Sequence, residues 1–184
     1  MKRIILLAVF QFVYLLANAQ NHEIDSVRRF LHFTSDISTD RLTATIRDTI
    51  FGKTGEGAPF AMVARYRTKD SFFAISFLCK DAGCVDNRAL IDYIFTDGKR
   101  KTVWNYEKDN CDGYFMVLYK SWIGIDPREI SIFTTHLLNT IRFNGSKTID
   151  VVLTKDQAAL FRSEMKALKY YSENWKKVDK LNGY

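Results

Sequence analysis

Cysteine, histidine and closely spaced acids are the residue types here that could carry chemistry, so their spacing is read first. The 184-residue chain has three cysteines: Cys79, Cys84 and Cys111. Cys79 closes the apolar alternation Phe73, Ile75, Phe77 and reads as the buried end of a strand. Cys84 and Cys111 stand in the polar stretches KDAGCVDN and EKDNCDGY. Three pairings are possible, and the expectation is a Cys84–Cys111 disulfide. Chain entropy gives that loop roughly 3–4 kcal/mol, against about 2 kcal/mol for the short loop of a Cys79–Cys84 bridge. A redox or nucleophilic thiol has no support, because there is no C-x-x-C and no histidine adjoins a cysteine.

The other constellations are incomplete. His22, His32 and His136 show no metal-ligand spacing. His136 falls near the end of a helical stretch, where a cation suits the helix dipole. Gly52-Lys53-Thr54 lacks the first glycine of a phosphate loop, which is Arg47, and a proline and a strand follow it instead of a helix. Asp109-Asn110-Cys111-Asp112-Gly113 lacks the leading acid of an EF-hand, which is Lys108, and its closing acid would be Tyr119. No G-x-S-x-G elbow occurs. Pairs such as Asp81 with Asp86 fall in loops. No catalytic, cofactor-binding or metal residue is selected, and a non-enzymatic protein without cofactor is expected.

The N-terminus carries the most specific signal. Met1-Lys2-Arg3 precedes an apolar run over 4–16, then Ala17-Asn18-Ala19. That is the charged region, apolar region and small-x-small site of a cleaved signal peptide. Residues 1–19 are expected to be removed between Ala19 and Gln20, leaving 20–184 as a single α+β domain. The apolar run is shorter than the roughly 20 residues that span a bilayer, and Gln11 interrupts it. No cysteine follows the cleavage site, so no lipid anchor is expected, nor a later transmembrane anchor. A periplasmic or extracellular location follows, and an oxidising compartment suits the disulfide.

The net charge of +6 falls by two with Lys2 and Arg3. The densest basic cluster, Lys99-Arg100-Lys101, adjoins Asp97-Gly98 and reads as edge-blocking turn residues. Nucleic acid is not an expected partner, because basic and aromatic residues do not interleave. A hydrophobic fraction of 47% and only two prolines indicate a single packed domain without linkers.

Period-two alternation marks strands over 41–50, 60–67 and 71–79, the last apolar on nearly both faces. Asp97-Gly98 and Asn144-Gly145 read as type I′ hairpin turns, joining 91–96 to 99–106 and 140–143 to 146–153. Another strand covers 113–119. Asp126-Pro127-Arg128-Glu129 starts a short helix, and Thr154-Lys155-Asp156-Gln157 starts a long C-terminal one with the stripe Ala158, Phe161, Met165, Leu168 and Trp175. Residues 21–39 fit helix or strand. The fold class is therefore α+β. An antiparallel β-meander forms a curved sheet or partly open barrel, with a short helix and a C-terminal helix packed against it.

That element order is similar to the pleckstrin-homology-like barrel. The processing site Ala17-Asn18-Ala19-Gln20, the Thr96-Asp97-Gly98 hairpin, the capped helix before Thr140-Ile141-Arg142-Phe143 and the TKDQAALF helix together resemble small exported, uncharacterised proteins of Bacteroidota. The resemblance implies an envelope or secreted location and no particular activity. Asp25-Ser26-Val27 and Asp48-Thr49-Ile50 look like O-glycosylation acceptors of such bacteria. The leading expectation is an exported binding or interaction protein, with an envelope protein or a small apolar ligand as the candidate partner. The alternatives are a carrier holding a small apolar ligand inside the barrel, where aromatics such as Trp104 and Tyr106 would serve, and an envelope enzyme.

Overall fold

The computed structural model describes residues 29–36, 41–46, 50–53, 59–67, 72–119 and 127–181. The Ala19/Gln20 site, His22 and the 25–27 acceptor lie outside them. So do 48–49, the glycine loop at 54–57 and the cap residue Asp126.

The architecture is α+β, and every strand pairing among the described residues is antiparallel. Strands β1 (Leu31–Asp36), β2 (Arg41–Ile46), β3 (Ile50–Lys53), β4 (Pro59–Arg67), β5 (Phe72–Cys79) and β8 (Tyr114–Tyr119) form a six-stranded sheet ordered β1-β2-β4-β5-β8. The alternating stretch over 41–50 becomes two strands, β2 and β3, which follow one another along the same side of β4. A second sheet, ordered β10-β9-β6-β7, contains β6 (Leu90–Phe95), β7 (Arg100–Trp104), β9 (Leu138–Asn144) and β10 (Thr148–Val152). Helix α1 (Pro127–Thr135) joins β8 to β9, and helix α2 (Lys155–Leu181) ends the described chain. The two sheets do not close into a barrel.

The core lies between the sheets and under α2. Alternation puts Phe73, Ile75, Phe77, Phe115 and Val117 on one wall and Ile91, Tyr93, Phe95, Ile141 and Phe143 on the other, all buried. Their rings interlock: Phe143 meets Phe77 at 5.2 Å and Phe115 at 4.9 Å, while Phe133 of α1 meets Tyr93 at 4.8 Å. The first and third are edge-to-face and the second tilted, arrangements that add to the stabilisation from buried area.

Helix α2 begins at the expected capping box. The Gln157 N–H donates to Thr154 Oγ1 at 3.2 Å, and the Thr154 N–H donates to Gln157 Oε1 at 2.9 Å. Its stripe Ala158, Phe161, Met165, Leu168 is buried, and Trp175 packs half-buried at its edge.

The two hairpin turns differ from the type I′ expectation. At the first, the Phe95 N–H donates to Lys99 C=O and the Gly98 N–H to Phe95 C=O, with Gly98 at φ +82°. That is a three-residue loop closed by a glycine bulge. At the second, Asn144 remains in β9, paired with Thr148, and the loop is 145–147. Gly145 is needed for space: a Cβ there would stand 2.5 Å from the Ala82 carbonyl oxygen. Asn144 is held in the strand because its amide donates to Leu90 C=O at 3.1 Å.

Candidate functional site

The disulfide joins Cys84 to Cys111. Cys79 is a buried free thiol at the end of β5. Burial pushes it up to about 11, so little thiolate exists near neutral pH. Asp86 and Asp109 sit beside the disulfide, but Asp109 Oδ1 accepts the Asn87 N–H at 2.8 Å and Asp86 Oδ1 the Arg88 N–H at 2.7 Å. Asn110 Oδ1 accepts the N–H groups of Asp112 and Tyr114. These oxygens shape the loop. Among the described residues no cluster of three His, Cys, Asp or Glu side chains could hold a metal ion.

His136 follows α1 and meets the β6–β7 hairpin. Its Nδ1 lies 2.8 Å from Asp97 Oδ2, and its Nε2 lies 3.0 Å from Lys99 Nζ. An Asp–His pair resembles a general-base arrangement. Here the Nε2 lone pair, which would activate a nucleophile, is occupied by the lysine. His32 is exposed on β1 of the first sheet. The Lys99-Arg100-Lys101 cluster is engaged as well as exposed: Arg100 pairs with Asp92 at 2.6 Å, and Lys101 pairs with Glu129.

The feature with the geometry of a binding site is the gap between the two sheets. β7 is an edge of the second sheet and β8 an edge of the first. They touch at one end, where the Tyr106 N–H donates to Met116 C=O at 2.7 Å and Met116 N–H to Asn105 Oδ1 at 3.0 Å. Asn105 makes the join. It sits at the inward phase set by Val103, is 3% exposed, and its Nδ2 donates to Asp86 C=O at 2.8 Å. Beyond it the strands part around a cleft of about 350 Å³, bordered by Lys101, Thr102, Trp104, Leu118, Tyr119 and Glu129.

The cleft has an aromatic rim and a polar floor. Trp104 is 65% exposed and Tyr106 68% exposed, so both stand outside the ring-packed core and not inside a barrel. At the deep end the Lys101 ammonium lies 5.7 Å from the centre of the Tyr119 ring while pairing with Glu129. Tyr119 is 6% exposed, and its hydroxyl has no hydrogen-bond partner among the described residues; the same holds for Tyr93 behind it. Burial drives both phenols well above their ordinary range, keeping them neutral donors.

Trp104 and Tyr106 stood out in the sequence as an alternating pair. Asn105 did not, although a polar side chain in an inward phase requires buried partners. Lys101, Tyr119 and Glu129 gave no signal, since three separate elements bring them together. No protein-family model matches the chain, and comparison with curated proteins and with solved structures finds no match.

Proposed function

We propose that this chain is an exported, non-enzymatic binding protein of the periplasm or cell exterior, and that the cleft between β7 and β8 is its binding site. The observation that carries the reading is the exposure of Trp104 and Tyr106 at the mouth of that cleft. Large aromatic side chains left in water at a concave site are the usual anchors of recognition. The Lys101–Glu129 pair adds polar groups for orientation. Export is supported by the signal-peptide pattern read over 1–19 and by the Cys84–Cys111 disulfide, which suits an oxidising compartment. Among the described residues no helix is long and apolar enough to cross a membrane. The resemblance to small exported proteins of Bacteroidota agrees with that address.

The test is a photo-crosslinking side chain at Tyr106 or at Val152, in cells that naturally make the protein. Val152 is also 68% exposed but lies on β10, at the opposite edge of the same sheet. Adducts at position 106 that disappear with Trp104→Ala are expected. No adduct at 106, or equal adducts at both positions, would overturn the reading.

A further inference from the structure

The backbone around the cleft identifies the kind of partner. Antiparallel strands point the N–H and C=O of successive residues alternately to one side and the other. On β7 the Asn105 N–H donates to Ala89 C=O, so Val103 and Lys101, in the same phase, bond to β6. The N–H and C=O of Thr102 and Trp104 therefore face the cleft. On β8, Met116 bonds outward to Asn105 and Tyr106. Leu118, two residues on, has the same phase and also faces the cleft.

The other outward rungs of β8 are already filled, and by groups that imitate a neighbouring strand. The Asn110 side-chain amide accepts the Tyr114 N–H at 3.0 Å and donates to Tyr114 C=O at 2.9 Å. Asn105 and the Tyr106 N–H do the same for Met116. Leu118 is the next rung, and no described residue fills it. Opposite it, Thr102 and Trp104 present a second open edge. Two open edges facing one cleft offer donors and acceptors at strand spacing on both sides.

From this we infer that the partner is an extended polypeptide segment that enters the cleft as an added strand, bonded to Leu118 on one side and to Thr102 and Trp104 on the other. The inference rests on the binding reading above. Strand addition uses these unpaired groups for affinity and alternate side chains for specificity. Spacings of about 3.3 Å along a strand, 4.8 Å between strands and 10 Å between sheets give roughly 160 Å³ per strand residue. The cleft of about 350 Å³ thus encloses two residues, and the segment runs on beyond the mouth. The side chain pointing inward meets the Lys101–Glu129 pair beside the Tyr119 ring, which selects a hydroxyl or carboxamide. The neighbour pointing outward lies beside Trp104, which selects an aromatic or branched apolar side chain.

The probe is a random twelve-residue peptide library displayed on phage and selected on the protein as the cell processes it, with its disulfide formed. Selected sequences are expected to alternate polar and apolar residues. In synthetic versions, N-methylation at either of the two adjacent residues enclosed by the cleft should weaken binding about tenfold or more, since their N–H groups bond one to each edge, and at residues beyond the mouth should change it little. Hydrogen exchange should slow at the amides of Leu118, Thr102 and Trp104. Leu118→Pro, which removes only an outward N–H at an edge strand, should weaken binding comparably; the peptide-side scan decides the matter if that variant does not fold. Uniform tolerance of N-methylation, or crosslinks at Tyr106 that carry glycan and no peptide, overturns strand addition while leaving the binding reading in place. A free protein that dimerises with Leu118 already protected overturns the assignment to a foreign segment. Loss of all crosslinking at Tyr106 overturns both.

Discussion

Replacing Asn105 with alanine tests how the two sheets are joined. Its side chain takes part in four hydrogen bonds. Nδ2 donates to the carbonyls of Asp86 at 2.8 Å and Glu107 at 3.3 Å, while Oδ1 accepts the N–H groups of Glu107 at 3.2 Å and Met116 at 3.0 Å. The Asn105→Ala variant leaves the Met116 N–H and the Asp86 carbonyl without these partners. The Met116 N–H, losing its acceptor, costs about 1–3 kcal/mol; the Asp86 carbonyl keeps the Ala89 N–H at 3.2 Å, and the lost bonds to it and to Glu107 add about 1 kcal/mol each, so with water entering from the cleft a net loss of about 3 kcal/mol is expected. For a domain of this size that is about 6–12 °C in Tm. Urea unfolding at neutral pH measures it, with the slope unchanged if the denatured state is unaffected. Hydrogen exchange supplies the local readout. The Met116 amide should lose protection, while that of Val117, bonded to β5, keeps it. A loss below about 1 kcal/mol with Met116 still protected would refute the idea that Asn105 is the clasp.

Two further outcomes follow from the same geometry. The Cys84→Ser/Cys111→Ser variant opens a loop with a sequence separation of 27, and should lose about 3.5 kcal/mol in urea unfolding by the chain-entropy relation; a loss under about 1 kcal/mol contradicts it. The Asp92 carboxyl, 1% exposed, is pushed up by burial but pulled further down by Arg100, Thr102 and Asn144, and so lies below its ordinary value. A depressed folded value stabilises the fold above the unfolded carboxylate range near 3.9 and ceases to do so as pH falls through the lower folded value. The urea midpoints of wild type and Asp92→Asn should therefore differ at pH 7 and converge on acidification below about pH 4; a gap independent of pH would refute the ion-pair account.

The legible part of this protein is the part governed by neighbours in sequence. The Thr154–Gln157 box was readable because both partners lie within one helical turn. The phase of β5 and β8 was readable because alternation alone sorts Phe115 and Val117 from Met116 and Leu118. The choice of Cys84 and Cys111 followed from polar flanks that keep both thiols near the surface, against the apolar run that buries Cys79. The turn types were not readable. Asn144-Gly145 has the composition of a two-residue turn, but Leu90 holds the Asn144 side chain and Ala82 crowds Gly145, both from elsewhere in the fold. The basic cluster at 99–101 looked like solvated turn residues because its partners, Asp92 and Glu129, belong to β6 and α1.

The sequence by itself determined most of the elements and their inward faces and favoured one pairing of the cysteines, since periodicity, caps and local polarity are properties of short stretches. Only the tertiary structure decided that the sheets stay apart at β7 and β8. That depends on where Asn105 meets Met116, and on the failure of the next rung, at Leu118, to find a partner among the described residues. A strand's pattern says which side chains point inward, but not which of its edges is left without a neighbour. The candidate site is made of that missing neighbour, so it exists only once every other strand has been placed.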